Sequence, residues 1–300
     1  MSRILVSGLI NIETTLRVDA FPIPYFPVRY PFFGVASTVS GVGYNVAKAL
    51  AVLGDLVRLV SVVGTDMAGD MVIRALAADS LPTAHVVAQM AHTAQSVILY
   101  DGDGRRQIHT DLKDVQEQTY PPERFAQAAE GCDLAVLCNV NFSRPLLELA
   151  QARGMAIATD VHAIASLEDP YNADFMAAAD VLFLSDEQLP EPPEDFARRT
   201  MKRYGNEVVV VGLGGEGALL VAKAEGVVVR MPAVVTRPVV STIGAGDALF
   251  SCFVHYYGRD RDAYRALERA VVFASHKIGV AGAADGFVAE AELEGLLGRG

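Results

Sequence analysis

The sequence predicts an α/β protein: a doubly wound, mostly parallel sheet flanked by helices, with a small β lid. Three observations predict it. From residue 121 to residue 214 helical segments alternate with short, continuous apolar runs, the pattern of βαβ units whose strands are buried on both faces. Polar or glycine-rich positions fall where apolar runs end, at Asn11, Asn139, Asp160, Ser185 and the turn 241–247. Two stretches, approximately 12–38 and 92–112, break the rhythm and read as lid segments. There is no internal repeat and no linker rich in Pro, Gly or Ser, so residues 1–300 read as one domain with those segments inserted.

The elements follow in order. Residues 3–9, RILVSGL, form a buried strand. Residues 38–54 read as a helix, with Val46, Ala49, Leu50 and Leu53 at helical spacing, and residues 55–64 as a second strand. Residues 93–112 read as two short strands around Asp101-Gly102-Asp103-Gly104, a hairpin signal. Helix and strand then alternate: 121–132 with 133–140, 144–154 with 155–161, 169–179 with 180–185, and 193–205 with 207–214. Residues 217–233 look like a hairpin, 231–240 look extended, and the end of the chain is helical.

Composition narrows the function classes. Half the residues are hydrophobic and a fifth are charged, enough apolar surface for a large core and no case for disorder. The 25 basic against 36 acidic residues give a formal charge of −11, with no basic block or stripe, which argues against a nucleic-acid partner. Such a chain must handle anionic phosphates locally, through backbone amides, a few cations or a bound metal ion. Cys132, Cys138 and Cys252 have no metal-ligand spacing and sit in apolar surroundings, as buried free thiols of a reducing cytoplasm do. The amino terminus lacks a signal-peptide pattern and no apolar run reaches the length of a membrane span. The expectation is a cytoplasmic protein without a membrane partner.

The stretch STIGAGDALFSCF, residues 241–253, carries the chemistry. Leu249, Phe250, Phe253 and Val254 have helical spacing, so Gly244-Ala245-Gly246 form a turn at a helix start, with Asp247 in the first helical turn. Free N–H groups and the positive end of the helix dipole suit an anion there. A glycine turn capped by an aspartate accounts for the same residues. An aspartate would repel a phosphate, but it can take a proton from an attacking hydroxyl while the amides hold developing charge. Gly41 and Gly43 allow close backbone approach to a ligand, and Asn45 offers a donor and an acceptor to a polyol. A glycine-rich helix start with a solvated Asn45 is the plainer alternative. Asn11 and Glu13 could bond sugar hydroxyls. The turn GLGGEG, 212–217, precedes a strand and is no dinucleotide fingerprint; it is a nucleotide edge or a plain tight turn. GLINIE after the first strand lacks that fingerprint too, which argues against a nicotinamide dehydrogenase.

Together these stretches resemble the ribokinase-like (PfkB) carbohydrate kinase family over nearly the whole chain. The family's D-T-x-G-A-G-D corresponds to Ser241-Thr242-Ile243-Gly244-Ala245-Gly246-Asp247. Its amino-terminal signature corresponds to Ser40-Gly41-Val42-Gly43-Tyr44-Asn45-Val46-Ala47, followed by LAVLG at 50–54 and GTDMAG at 64–69. The resemblance implies ATP-dependent transfer of the γ-phosphoryl to a hydroxymethyl group of a sugar, beneath a β lid. Asp247 would be the general base, and the amides of Gly244, Ala245 and Gly246 the anion hole. Asn11, Glu13, Gly41, Gly43 and Asn45 would bind the substrate; Ser185, Leu213, Gly214, Gly217 and Thr242 would lie at the nucleotide. Mg²⁺ is implied, with Asp186 and Glu187 as its candidate ligands. Some relatives also use a monovalent cation, and pairing of lid strands is a route to a homodimer.

Departures from the family pattern bear on the pocket. Ser241 replaces the first aspartate and Ser40 the first glycine; Glu13 stands where many members carry aspartate. Ser185-Asp186-Glu187-Gln188 replaces an N-x-x-E motif, and His162 replaces an asparagine. Two rival readings follow. One is a nucleoside kinase, with Phe32 and Phe33 stacking on a base rather than packing the lid against the core. The other is a catalytically weak sugar- or nucleotide-binding regulatory protein, for which the altered 185–188 stretch is the motive.

Overall fold

The computed structural model describes residues 2–298 apart from 103, 104 and 225. Its central sheet runs, edge to edge, β13 (Val227–Met231), β12 (Ala218–Ala222), β11 (Val208–Gly212), β10 (Val181–Ser185), β9 (Ala156–Ala163), β8 (Leu134–Leu137), β1 (Arg3–Ser7), β4 (Leu56–Gly64) and β5 (Val86–Met90). From β11 to β5 the strands are parallel; β12 and β13 close one edge as an antiparallel hairpin. The all-apolar runs explain the burial. In β11, Val208 and Val210 enter one core while Val209 and Val211 enter the other, because consecutive strand residues face opposite sides.

Helices cover both faces. On one side α1 (Val42–Val52), α2 (Met67–Ala78), α7 (Ala245–Asp260) and α8 (Ala263–Lys277) bring Leu50, Leu76, Phe250 and Phe273 onto the sheet. On the other, α3 (Pro122–Ala128), α4 (Arg144–Gln151), α5 (Ala173–Ala178) and α6 (Pro193–Tyr204) bring Phe125, Leu146, Phe175 and Phe196. A last helix, α9 (Glu290–Leu297), packs Leu293 into the first core. The chain steps from β1 to β4 and β5, then returns to β8 on the other side of β1. The strand order therefore reverses between β1 and β8, the place where ligands gather in sheets of this kind.

A second sheet of four strands has the order β3 (Val35–Ser40), β2 (Asn11–Arg17), β6 (Gln95–Tyr100), β7 (Arg106–Asp111). Glu13 lies opposite Thr38 on one side and Ser96 on the other, and Ser96 lies opposite Thr110. These side chains thus share one face. Of the hairpin turn read at 101–104, Asp101 and Gly102 link β6 to β7, and Asp103 and Gly104 lie outside the described residues.

Three expectations need correction. Residues 38–40 belong to β3, not to a helix: Thr38, Val39 and Ser40 pair with Glu13, Ile12 and Asn11, and α1 begins only after Gly41 turns the backbone to φ 102°. Helix α5 is shorter than 169–179, because Asp169 and Pro170 open a turn in which Asp169 accepts from the Tyr171 amide at 2.9 Å and from Asn172 Nδ2 at 2.8 Å. Beyond Met231 the segment 232–244 is a strap rather than a strand, tied to α8 by Thr236 N–H to Ser275 Oγ (3.0 Å) and held just past it by Val240 N–H to the Ile278 carbonyl (2.8 Å).

Candidate active site

Helix α7 starts where the glycines predict. Gly244 is its N-cap in the left-handed region, φ 75° and ψ 10°, and a Cβ there would lie 2.4 Å from the Ala283 carbonyl oxygen. A Cβ on Gly246 would meet nothing within 4 Å, so this residue borders open space. The Ala245 amide donates to the Thr242 carbonyl at 3.2 Å, and the Ala248 amide to Gly244 at 3.0 Å. The amides of Gly246 and Asp247 therefore fall in the first turn, where no intrahelical acceptor exists. Of the amides expected to form an anion hole, that of Ala245 is engaged within the turn.

Asp247 meets Asn45 across 202 residues, Nδ2 donating to Oδ2 at 2.7 Å. Both sit in the first turns of their helices, α7 and α1, and the two helices pack together. Burial raises the Asp247 carboxyl above the ordinary carboxylate range; the Asn45 hydrogen bond and the charges of His162 and Lys277 oppose this, and Asp160 adds to it. A carboxylate pushed toward working pH is a better proton acceptor than an ordinary one.

Next to this pair lies a buried polar row on the second sheet. Ser40 Oγ donates to Glu13 Oε2 at 3.1 Å and approaches Asn45 Oδ1 at 3.4 Å. Asn11 Nδ2 donates to Ser96 Oγ at 2.6 Å, and Ser96 Oγ to Thr110 Oγ1 at 3.3 Å. Asn11 is 4 % exposed and Glu13 6 %, yet among the described residues Asn11 Oδ1 and Glu13 Oε1 have no hydrogen-bond partner. Buried acceptors left open are rare and costly, and here they offer two sites to ligand hydroxyls. Burial also raises the Glu13 carboxyl, against the Ser40 bond and the charge of Lys277.

Sequence reasoning missed Lys277. It is fully buried at the end of α8, and Nζ donates to the Ile243 carbonyl, in the strap ahead of Gly244. Burial pushes its ammonium down to about 8, although Asp247, Glu13 and Asp285 pull it upward. A signal existed: Lys277 falls four residues after Phe273 on the buried stripe of α8, where an unpaired lysine has no place. Arg106 was also missed. From β7 its Nη1 donates to Thr242 Oγ1 at 2.7 Å, bridging the second sheet to the turn ahead of α7.

Several predicted residues have a packing reason. A Cβ on Gly43 would lie 2.5 Å from the Gly8 carbonyl carbon, and one on Gly41 2.5 Å from the Leu9 carbonyl oxygen. The close approach at these glycines is therefore to the chain's own β1–β2 turn. Gly217, φ 104°, is pressed against Met231, with 2.1 Å from a would-be Cβ to the carbonyl oxygen. Leu213 is buried in the core, whereas Gly214 has open space around it.

Ser185 and Gly212 pair at the carboxyl ends of β10 and β11, and the Asp186 amide donates to Gly212 at 3.1 Å. The Glu187 amide donates to Ser185 Oγ at 3.3 Å, and Glu187 is exposed. From β1 to β11 is four strand spacings, about 19 Å. Residues 185–187 and 213–217 thus lie at the carboxyl edge of the central sheet, three to four strands along from β1, whereas Asn11 and Glu13 belong to the second sheet that follows β1.

Phe32 and Phe33 are exposed, not packed against the core. The three cysteines are buried and free, as expected. No described helix is long and apolar enough to cross a membrane. A cavity of ≈ 550 Å³ opens beside Arg3, Gly131, Leu134 and Arg261, at the amino-terminal ends of β1 and β8, and holds none of the site residues.

A parallel sheet with this strand reversal, a second sheet over its carboxyl edge and a glycine turn opening onto a half-buried carboxylate define a class of small-molecule phosphotransferases. The chain belongs to the pfkB family of carbohydrate kinases, whose model matches residues 1–290. It is 30 % identical over 276 residues to an ATP-dependent ribose-1-phosphate kinase of Halopiger xanaduensis, covering 90 % of each chain. To a deoxyribokinase of Salmonella typhi it is 26 % identical over 259 residues, covering 79 % of this chain and 80 % of the other. Its structure superimposes on that of a microbiome-derived acarbose kinase with a TM-score of 0.89, at 26 % identity and 99 % coverage of both chains.

Proposed function

We propose that this protein moves the γ-phosphoryl of ATP to a hydroxymethyl group of a sugar, with Asp247 as general base. The observation that carries the reading is the Asp247–Asn45 pair at 2.7 Å, set between the open Gly246 turn and the unpartnered acceptors of Asn11 and Glu13. Asp247 accepts the hydroxyl proton as the new O–P bond forms and the bond to the departing ADP breaks. The amides of Gly246 and Asp247, with the helix dipole, hold the charge that develops on the phosphoryl oxygens. Asn11, Glu13 and Asn45 orient the acceptor, so that the attacking oxygen lies within reach of the base. ATP supplies the phosphoryl and lies toward residues 185–187 and 213–217.

The donor set suits Mg²⁺ carried mainly by phosphate. No three His, Cys, Asp or Glu side chains converge among the described residues, and this ion ordinarily takes one or two carboxylates plus phosphate oxygens and water. Asp186 or Glu187 would supply that carboxylate. The likeness to a ribose-1-phosphate kinase and a deoxyribokinase puts five-carbon sugars and their phosphates first among acceptors. Nucleosides are the second reading, favoured by the exposed rings of Phe32 and Phe33. The second sheet acts as the lid, and its exposed Val35 and Val97, on the face away from Glu13, suit pairing with a second copy.

The test is a coupled ADP-release assay with Mg-ATP against pentoses, their phosphates, hexoses and nucleosides. Turnover confined to one class names the acceptor. Silence on every acceptor, with ATP still bound, sinks the kinase reading in favour of a binding protein.

A further inference from the structure

We propose that Lys277 is a positioning residue: a cation built into the chain that engages the Ile243 carbonyl and so keeps the first amides of α7 open to the phosphoryl group, with no need of a dissociable monovalent cation. The inference rests on the kinase reading above. It starts from the hydrogen bonds of the glycine turn. Continued one turn backward, α7 would pair the Gly246 amide with the Thr242 carbonyl and the Asp247 amide with the Ile243 carbonyl. The chain gives both carbonyls to other donors. Thr242 accepts from the Ala245 amide at 3.2 Å, and Ile243 accepts from Lys277 Nζ. Among the described residues neither the Gly246 nor the Asp247 amide has an acceptor. The lysine thus holds the carbonyl that would otherwise close off Asp247.

Three bonds tie the strap to the end of α8. The Val240 and Ser241 amides donate to the Ile278 carbonyl at 2.8 and 3.1 Å, and Lys277 Nζ reaches Ile243, the residue before the N-cap Gly244. A lysine at a helix end ordinarily serves the last carbonyls and the dipole of its own helix. Lys277 serves another segment instead. It is fully buried, and no carboxylate pairs with it among the described residues, an arrangement that costs stability. Asp247, Glu13 and Asp285 lie close enough to favour its charge, and Arg237 opposes it. A buried charge that the fold does not need points to the site it faces. A bare carbonyl oxygen beside the turn has the wrong sign for an anion, and an ammonium bound to it reverses the local field. An alkali ion on the same carbonyl would do likewise, but here the charge is covalently part of α8.

Lys277→Met and Lys277→Ala would be compared with the unmodified chain in potassium, ammonium and tetramethylammonium chloride. The readouts are kcat and KM for the best acceptor, calorimetric titration with Mg-ATP, and the melting temperature. The unmodified chain should turn over equally in all three salts. Lys277→Met should lose about 10²-fold in kcat with little change in acceptor KM, and about tenfold in ATP affinity. At neutral pH it should melt no lower than the unmodified chain, because it sheds a buried charge. Lys277→Ala leaves room for a small cation, so ammonium or potassium should restore part of its kcat and ATP affinity, and the bulkier tetramethylammonium should not. A Lys277→Met variant that keeps kcat and ATP affinity, a Lys277→Ala variant that no salt restores, or an unmodified chain that slows in tetramethylammonium overturns the proposal. So does a loss that merely tracks the melting temperature, which is the mark of a structural role. If no acceptor is turned over, the kinase reading fails separately, and the ATP titrations still decide Lys277. A chain that binds no ATP sinks both.

Discussion

Lys277→Met removes the one fully buried lysine of the site, and its effect on stability can be worked from the structure. The ammonium is held down to about 8 from an ordinary 10.5, first by burial, with Asp247, Glu13 and Asp285 offsetting part of that cost. The gap of about 2.5 in pKa, at 1.36 kcal/mol each, is about 3 kcal/mol. The sign follows from proton binding. Between pH 8 and pH 10.5 the unfolded chain holds a proton on this lysine that the folded chain has released, so folding stability rises with pH across that window. Below it the charged folded state bears the full penalty. Methionine is close in shape and cannot be charged, so the variant should lack this rise. The assay is calorimetric melting of both proteins on either side of the window. The unmodified chain should gain up to about 3 kcal/mol relative to the variant, several degrees in melting temperature. Equal pH slopes in the two proteins would refute the reasoning. The same substitution should act on catalysis in the opposite sense: without the ammonium the Asp247 carboxyl rises further, and the acidic limb of kcat/KM moves to higher pH.

Asp247→Asn keeps the shape and can still accept from Asn45, so stability should hold while kcat falls by about 10²–10⁴-fold; turnover within tenfold of the unmodified chain would remove Asp247 as the base. Gly246→Ala enters open space and should fold normally, whereas Gly244→Ala meets the Ala283 carbonyl at 2.4 Å from a positive φ and should cost more than about 1 kcal/mol in denaturant titrations. Equal stability of the two glycine variants would contradict the geometry of the turn. Asp66 caps α2 through the Gly69 amide at 2.9 Å and also accepts from the amide of Thr93 at 3.1 Å and its hydroxyl at 2.7 Å, so Asp66→Ala should lose about 1–2 kcal/mol. Burial of Asp66 opposes these bonds, but they win and hold its pKa low. That contribution is present above the ordinary carboxylate range and lost as pH falls through the depressed value, so the Asp66→Ala penalty should shrink in acid.

The sequence by itself determined what is local. Apolar runs at β8 to β11 required strands buried on both faces, and the spacing of Leu249, Phe250 and Phe253 required a helix behind the glycines. That is enough to put Asp247 in a first helical turn, since those constraints act over a few residues. Where local signals competed, tertiary pairing won: Thr38 to Ser40 suit either a helix start or a strand, and their register with β2 made them strand. The site itself depends on partners far apart in the chain. Asn45 meets Asp247 across 202 residues and Arg106 meets Thr242 across 136. Periodicity shows which face of an element is buried, but it carries no information about which element lies opposite. Strand order and strand register supply that, and only the folded chain brings Lys277, Glu13 and Asp247 into one electrostatic neighbourhood, because the burial that shifts their charges exists only once the two sheets and the helices α1, α7 and α8 have closed around them.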